Sequence, residues 1–237
     1  MRYERAKQAG GRVKPHWIEA ESFRILAERV DLSGRDELHA RILARVVHAT
    51  ADTGYIDTIM FDAGAADAGI QALRSKAPVI CDTKMVSAGI TNLEAHCFLD
   101  QAMQPAGRYA TRSAAGMRLA AERYPAGAIV VVGCAPTALE EVVRLAEQEA
   151  FAPQLVIGMP VGFVGAAEAK ERARNCERLT TITNTGEKGG SAAAAAVLNA
   201  LTRIASSRDT SPTSAARVPL IGRGDDLAAR ERKGPHA

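Results

Sequence analysis

The stretch AIVVVGCAPTALEE, Ala128–Glu141, decides the fold. Its first part, AIVVVG (128–133), is a continuous run of apolar and small residues, the pattern of a strand covered on both faces. Pro136 then falls where a first helical turn tolerates a missing N–H, so the segment reads as strand, turn and helix.

The same order recurs on either side. PVICD (78–82), QLVIG (154–158) and LTTIT (179–183) read as further strands. Helical patterns cover roughly 108–123, 136–149, 164–174 and 190–204. Nearer the N-terminus, IEAESFRILAERV and RDELHARILARVVHA form a helical pair, with DLSGRDE supplying a break and new capping residues. Alternation of strand and helix predicts an α/β fold around a mainly parallel sheet, in a single domain.

The 237 residues are 47% hydrophobic and 24% charged, enough apolar side chain for a real core. Aromatic residues are only 4%, and the abundance of Ala, Val and Gly points to helices packed closely on the sheet. AIVVVGCA (128–135) is the longest apolar run and is too short to span a bilayer. MRYERAKQAGGRVKPHW at the start has no apolar signal region, so no secretory leader is expected. A net charge of +3, with no basic run interleaved with aromatics, gives no reason to expect nucleic acid as a partner. The four cysteines are scattered without a CxxC, which suits a reducing cytoplasm. Composition turns to Ser, Pro, Gly and charge near residue 205, so a flexible tail is expected over 206–237. Residues 1–15 look similarly loose, leaving 16–205 as the folded domain.

Chemistry in an open parallel sheet collects at the carboxyl ends of the strands. Three junctions there are rich in small residues: GMPVGFVGAAEAK, GCAPTALEE and TGEKGGSAAAAAV. Each could direct backbone N–H groups at an anion, and each alone also reads as an ordinary turn. None has the GxGxxG or GxxxxGK[ST] spacing of a nucleotide site, and GxSxG and HExxH are absent. The five histidines are too dispersed for their spacing to suggest a metal site.

His48, in ARVVHAT (44–50), is the most informative of the five. Leu38, Ile42 and Val46 form a core stripe on its helix, while Arg41, Arg45 and His48 share a neighbouring face. Spacing leaves two readings open. One is a solvated basic face that ends in an incidental histidine. The other is a general acid whose pKa the arginines depress and a bound carboxylate restores.

Read together, ESFRILAERVDLS, RVVHAT, CDTKMVSAGI, TRSAAGMRLA, GCAPTAL, GMPVGFVGAAEAK and KGGSAAAAAVLN resemble the precorrin-8X methylmutase (precorrin isomerase) family of cobalamin biosynthesis. The resemblance runs from about Ile18 to Ala205. It implies a three-layer α/β/α fold and a homodimer with sites near the subunit interface. The implied reaction moves a methyl group from C-11 to C-12 of a tetrapyrrole by a 1,5-sigmatropic shift, giving hydrogenobyrinate. No redox cofactor, methyl donor or resident metal is implied. By the same resemblance His48 is the catalytic proton carrier, and Ser22 and Arg45 bind substrate. Thr111, Arg112 and Ser113 of TRS are expected to hold peripheral carboxylates, and Gly162 in GMPVGFVGAA to let the macrocycle approach the backbone. Cys134 in GCAPTAL departs from the pattern, since relatives often carry Asn there. A non-catalytic corrinoid carrier of the same pathway is the alternative.

Overall fold

The computed structural model describes residues 17–103 and 111–206. Helices α1 (Trp17–Arg29), α2 (Glu37–Thr50) and α3 (Tyr55–Thr58) precede the sheet. There follow β1 (Ile59–Phe61), α4 (Ala65–Arg74), β2 (Val79–Cys81), α5 (Lys84–Gly89) and β3 (Ala95–Cys97). The second half runs α6 (Arg112–Arg123), β4 (Ile129–Val132), α7 (Pro136–Glu147), β5 (Leu155–Gly158), α8 (Ala166–Asn175), β6 (Thr181–Asn184) and α9 (Ser191–Ser206).

The six strands lie in the order β1-β6-β5-β4-β2-β3, all parallel except β1, which runs antiparallel to β6. Successive strand side chains point to opposite faces, and the core divides accordingly. Ile129, Val131, Leu155, Ile157 and Ile182 pack with α2, α4 and α9 on one face. Ile80, Val130, Val132 and Val156 pack with α6, α7 and α8 on the other. This is the three-layer α/β/α architecture, and the four strands read from sequence are its interior strands.

The edge strands β1 and β3 and the helices α3, α4 and α5 were not legible. IMF and AHC are three-residue strands, too short to display a period of two. Gly69 lies inside α4, where a β-carbon would stand 2.8 Å from Leu155 Cδ2 and 2.9 Å from Leu201 Cδ1. Space for the sheet and α9, rather than helix propensity, therefore explains glycine there. The expected loose segment 1–15 and all but the first residue of the expected tail 206–237 lie outside the described residues, as do 108–110 of the expected α6; that first residue, Ser206, is instead the last of α9.

Helix α9 packs closely against the sheet and its neighbours. Its alanines, Ala193 to Ala196, are all buried, and a β-carbon on Gly133 or Gly89 would come within 2.9 Å of it. The loop that leads into α9 is locked from several sides. Gly190 N–H donates to Met159 O, Gly162 N–H to Glu187 O, and the Tyr55 hydroxyl to Gly189 O. From α8, the Lys170 ammonium donates to Lys188 O at 2.7 Å and to Asn184 Oδ1 at 3.3 Å. Lys170 is fully buried, at 0% exposure.

Two outcomes follow from this lock. A β-carbon on Gly189 would lie 2.4 Å from the carbonyl oxygens of both Met159 and Pro160, which are backbone and cannot swing away. Gly189→Ala is expected to cost about 2–3 kcal/mol. Thermal unfolding followed by circular dichroism should show Tm lowered by roughly 4–10 °C. At Lys170, burial, with Arg174 adjoining, pulls the amine from 10.5 down to about 8. The unfolded chain then holds this proton more tightly, so the group's contribution to stability grows from about pH 8 to 10.5. In urea titrations across that window, wild type should gain up to about 3 kcal/mol relative to Lys170→Met. A constant difference across the window would show that Lys170 is not buried as an ionisable amine.

Candidate active site

Strands β2 and β4 are neighbours that send the chain in opposite directions: β2 outward to β3 through α5, β4 back towards β5 through α7. The crevice beyond their carboxyl ends is the position where ligands bind in such sheets. Here the chain fills the base of the crevice itself. Asp82 follows β2, is 2% exposed, and accepts from the N–H groups of Gly133 (3.1 Å), Cys134 (2.8 Å) and Ala135 (2.8 Å). Burial pushes its carboxyl above the ordinary value despite these bonds. The donors that GCAPTALEE was expected to offer an external anion are therefore taken by an internal one. Cys134 Sγ lies 2.9 Å from Ser191 Oγ and accepts from the Thr83 hydroxyl at 3.2 Å, tying three loops together.

The residues expected from sequence fall into two groups. Thr111, Arg112 and Ser113 stand at the start of α6, on the face shared with α7 and α8. The Thr111 hydroxyl caps α6 by accepting from Ala114 N–H and lies 2.7 Å from the Thr137 hydroxyl at the start of α7. Arg112 donates to Leu99 O at 2.8 Å, and Ser113 is half-buried. Gly162 follows β5 with φ at +150°, in a loop whose Phe163 and Val164 are 90% and 88% exposed.

Ser22, Arg45 and His48 come together on the other face, where α1 packs on α2. Asp36 caps α2 by accepting from the N–H groups of Leu38 and His39. The expected stripe is buried at Ile42 and Val46, with Leu38 partly so. That stripe turns Arg45 and His48 towards α1. Ser22 Oγ lies 2.8 Å from His48 Nδ1, which leaves Nε2 as the nitrogen not engaged by Ser22. The Phe23 ring stacks on the imidazole at 4.7 Å and 13°, and the Arg45 guanidinium covers Phe23 at 4.7 Å from its centroid.

This is not a solvated basic face. Arg45 and Glu19 have side chains only 24% and 25% exposed, and Arg45 donates to Glu19 Oε1 at 2.7 Å. Arg203, from the last turn of α9, reaches the same oxygen at 3.5 Å. Burial lowers the His48 pKa, Arg45 lowers it further, and Glu19 acts the other way. Burial opposes ionisation of Glu19, but the hydrogen bond and charge of Arg45, aided by Arg203, outweigh it and hold the carboxyl below its ordinary value. Sequence reading missed Glu19, Phe23 and Arg203. Glu19 sits on α1 one turn before Ser22, so helical spacing places it on the same face; Phe23, at the adjacent position, and Arg203 depend on tertiary packing.

The precorrin-8X methylmutase family model matches residues 17–204 of the chain. The cobalt-precorrin-8 methylmutase of Methanocaldococcus jannaschii is 39% identical over 180 residues, covering 75% of this chain and 84% of that protein. The precorrin-8X methylmutase of Pseudomonas aeruginosa is 36% identical over 196 residues, 78% of this chain and 93% of that one. Among solved structures, a precorrin-8X methylmutase from Thermus thermophilus superposes with a TM-score of 0.71 at 35% identity, covering 79% of this chain and 95% of its own. With the family model matched over 17–204 and relatives of 36–39% identity covered over most of their own length, the chain belongs to the precorrin-8X methylmutase family.

Proposed function

We propose that this protein is an isomerase of cobalamin biosynthesis that moves a methyl group from C-11 to C-12 of precorrin-8X or its cobalt form, with His48 as the proton carrier. The observation that carries this reading is the half-buried His48 imidazole, oriented by Ser22 and flanked by Arg45, in a chain that its family model spans over 17–204. The migration is intramolecular, so bond making and breaking stay within the substrate and no external methyl donor enters. The protein's task is to hold a large polyanion in one conformation and to place a proton on, or take one from, the conjugated ring.

Each part of the site has a role in that task. Arg45 and Arg112 offer forked donors for peripheral carboxylates. Thr111 and Ser113 add hydroxyls at the start of α6, where the helix dipole favours negative charge. Gly162 keeps its loop thin beside the exposed Phe163 and Val164, an apolar surface suited to a macrocycle face. Thr111, Arg112 and Ser113 at the start of α6 and Ser22, Arg45 and His48 around α2 lie on opposite sides of the sheet, an arrangement that favours a homodimer in which each site is completed by a second copy. A cytoplasmic location with no nucleic-acid partner completes the reading; among the described residues no helix is long and apolar enough to cross a membrane.

The test is conversion of precorrin-8X, or cobalt-precorrin-8, to the corrin chromophore, followed by visible absorption with purified protein. His48→Ala should retain tetrapyrrole binding and lose about 10²–10⁴-fold in turnover. Binding by the wild type without conversion would overturn the isomerase in favour of a carrier, and unchanged turnover in His48→Ala would remove His48 from the chemistry.

A further inference from the structure

The charged groups whose fields reach His48 come from three helices: Glu19 on α1, Arg45 on its own helix α2, and Arg203 on α9. Ser22, also on α1, is its polar neighbour. The two guanidiniums do not stand alone. One oxygen of one carboxylate, Glu19 Oε1, meets Arg45 at 2.7 Å and Arg203 at 3.5 Å. We propose that Glu19 is a positioning residue of the site: by bridging Arg45 and Arg203 it fixes both guanidiniums and offsets their charge on His48. The proposal rests on the reading of His48 as the proton carrier.

The geometry makes Glu19 more than a surface partner. Arg45 donates to the Glu19 carboxylate and packs against the Phe23 ring, which also stacks on His48. Without the carboxylate, two like charges would remain beside an imidazole that must carry a third when protonated. Arg45 would then be free to swing towards an incoming substrate carboxylate or away from the stack. Glu19 therefore determines both where Arg45 waits and how readily His48 takes up a proton. The signs of the three groups separate this role from simple support of the helix. Loss of Glu19 removes a negative charge and disfavours the imidazolium; loss of Arg203 removes a positive one and favours it.

The test is the NMR titration of the His48 ring in the full chain, assigned by comparison with His48→Ala, alongside pH profiles of kcat. Glu19→Gln should move the His48 midpoint to lower pH and Arg203→Met to higher pH, while Glu19→Asp, which keeps the charge, stays near wild type. The limb of the kcat profile governed by His48 should move in the same direction in each variant. Midpoints that do not move in opposite directions in Glu19→Gln and Arg203→Met, in proteins with wild-type circular dichroism, overturn the proposal. If the midpoints move as expected and the kcat limb stays put, Glu19 sets the imidazole charge as proposed, and it is the assignment of His48 to the proton step that fails.

Discussion

The close approach of helix α9 to the sheet is the constraint on which the rest of the structure depends. The first turn of α9 meets strands and other helices on several sides at once, which small side chains allow: Ala193 to Ala196 point in successive directions around the helix and are all buried, ahead of the larger Val197, Leu198, Leu201 and Ile204. The neighbours make matching room at Gly69, Gly89 and Gly133. Packing at interior density then holds α9 at a fixed height and rotation, because any added methylene on either side has no void to enter. Both ends of the helix inherit that precision. Ser191 at its start joins the Cys134 and Thr83 cluster at the carboxyl edge of the sheet, and Arg203 near its end reaches the charged group around His48.

The interior of this fold was legible because its strands are buried on both faces. AIVVVG and QLVIG owe their apolar runs to a simple requirement, and the helices between them announce themselves through Pro136 and the small residues at their starts. The periphery obeys weaker rules. IMF and AHC are held by a single neighbouring strand each, and nothing in three residues reports that pairing. At the site, Ser22, Arg45 and His48 were readable through family resemblance, and spacing alone left His48 open between two roles. Spacing puts Glu19 beside Ser22 on α1 but not beside Arg45 and Arg203, which are 26 and more residues away; that pairing, which makes the face a partly buried charged cluster, is visible only in the fold.

A second lesson concerns charge inside the protein. Asp82 and Lys170 are both buried, and among the described residues their hydrogen-bond partners are uncharged: backbone N–H groups for Asp82, and the Lys188 carbonyl and the Asn184 side chain for Lys170. Asp82 takes N–H groups from the loop after β4, and Lys170 gives protons to the loop after β6. Each thus acts as a rigid extension of one strand or helix into a neighbouring loop. The carboxyl edge of the sheet is held in shape by these two ions, which is why it can carry glycine-rich loops without losing definition.

Helix α1 supplies Glu19, Ser22 and Phe23, yet none of its residues is buried, and its Leu26 leans on the main core as a partly buried side chain. Its attachment includes the same polar and ring contacts that organise His48. The free energy that keeps α1 docked is therefore separate from that which keeps the sheet folded, and opening of α1 belongs to the local, low-energy end of the protein's fluctuations. Amides of α1 would exchange with solvent through such opening, long before those of α9, which require global unfolding. Assembly of the cluster around His48 is then an equilibrium in its own right, one that evolution or design can shift without touching the stability of the fold.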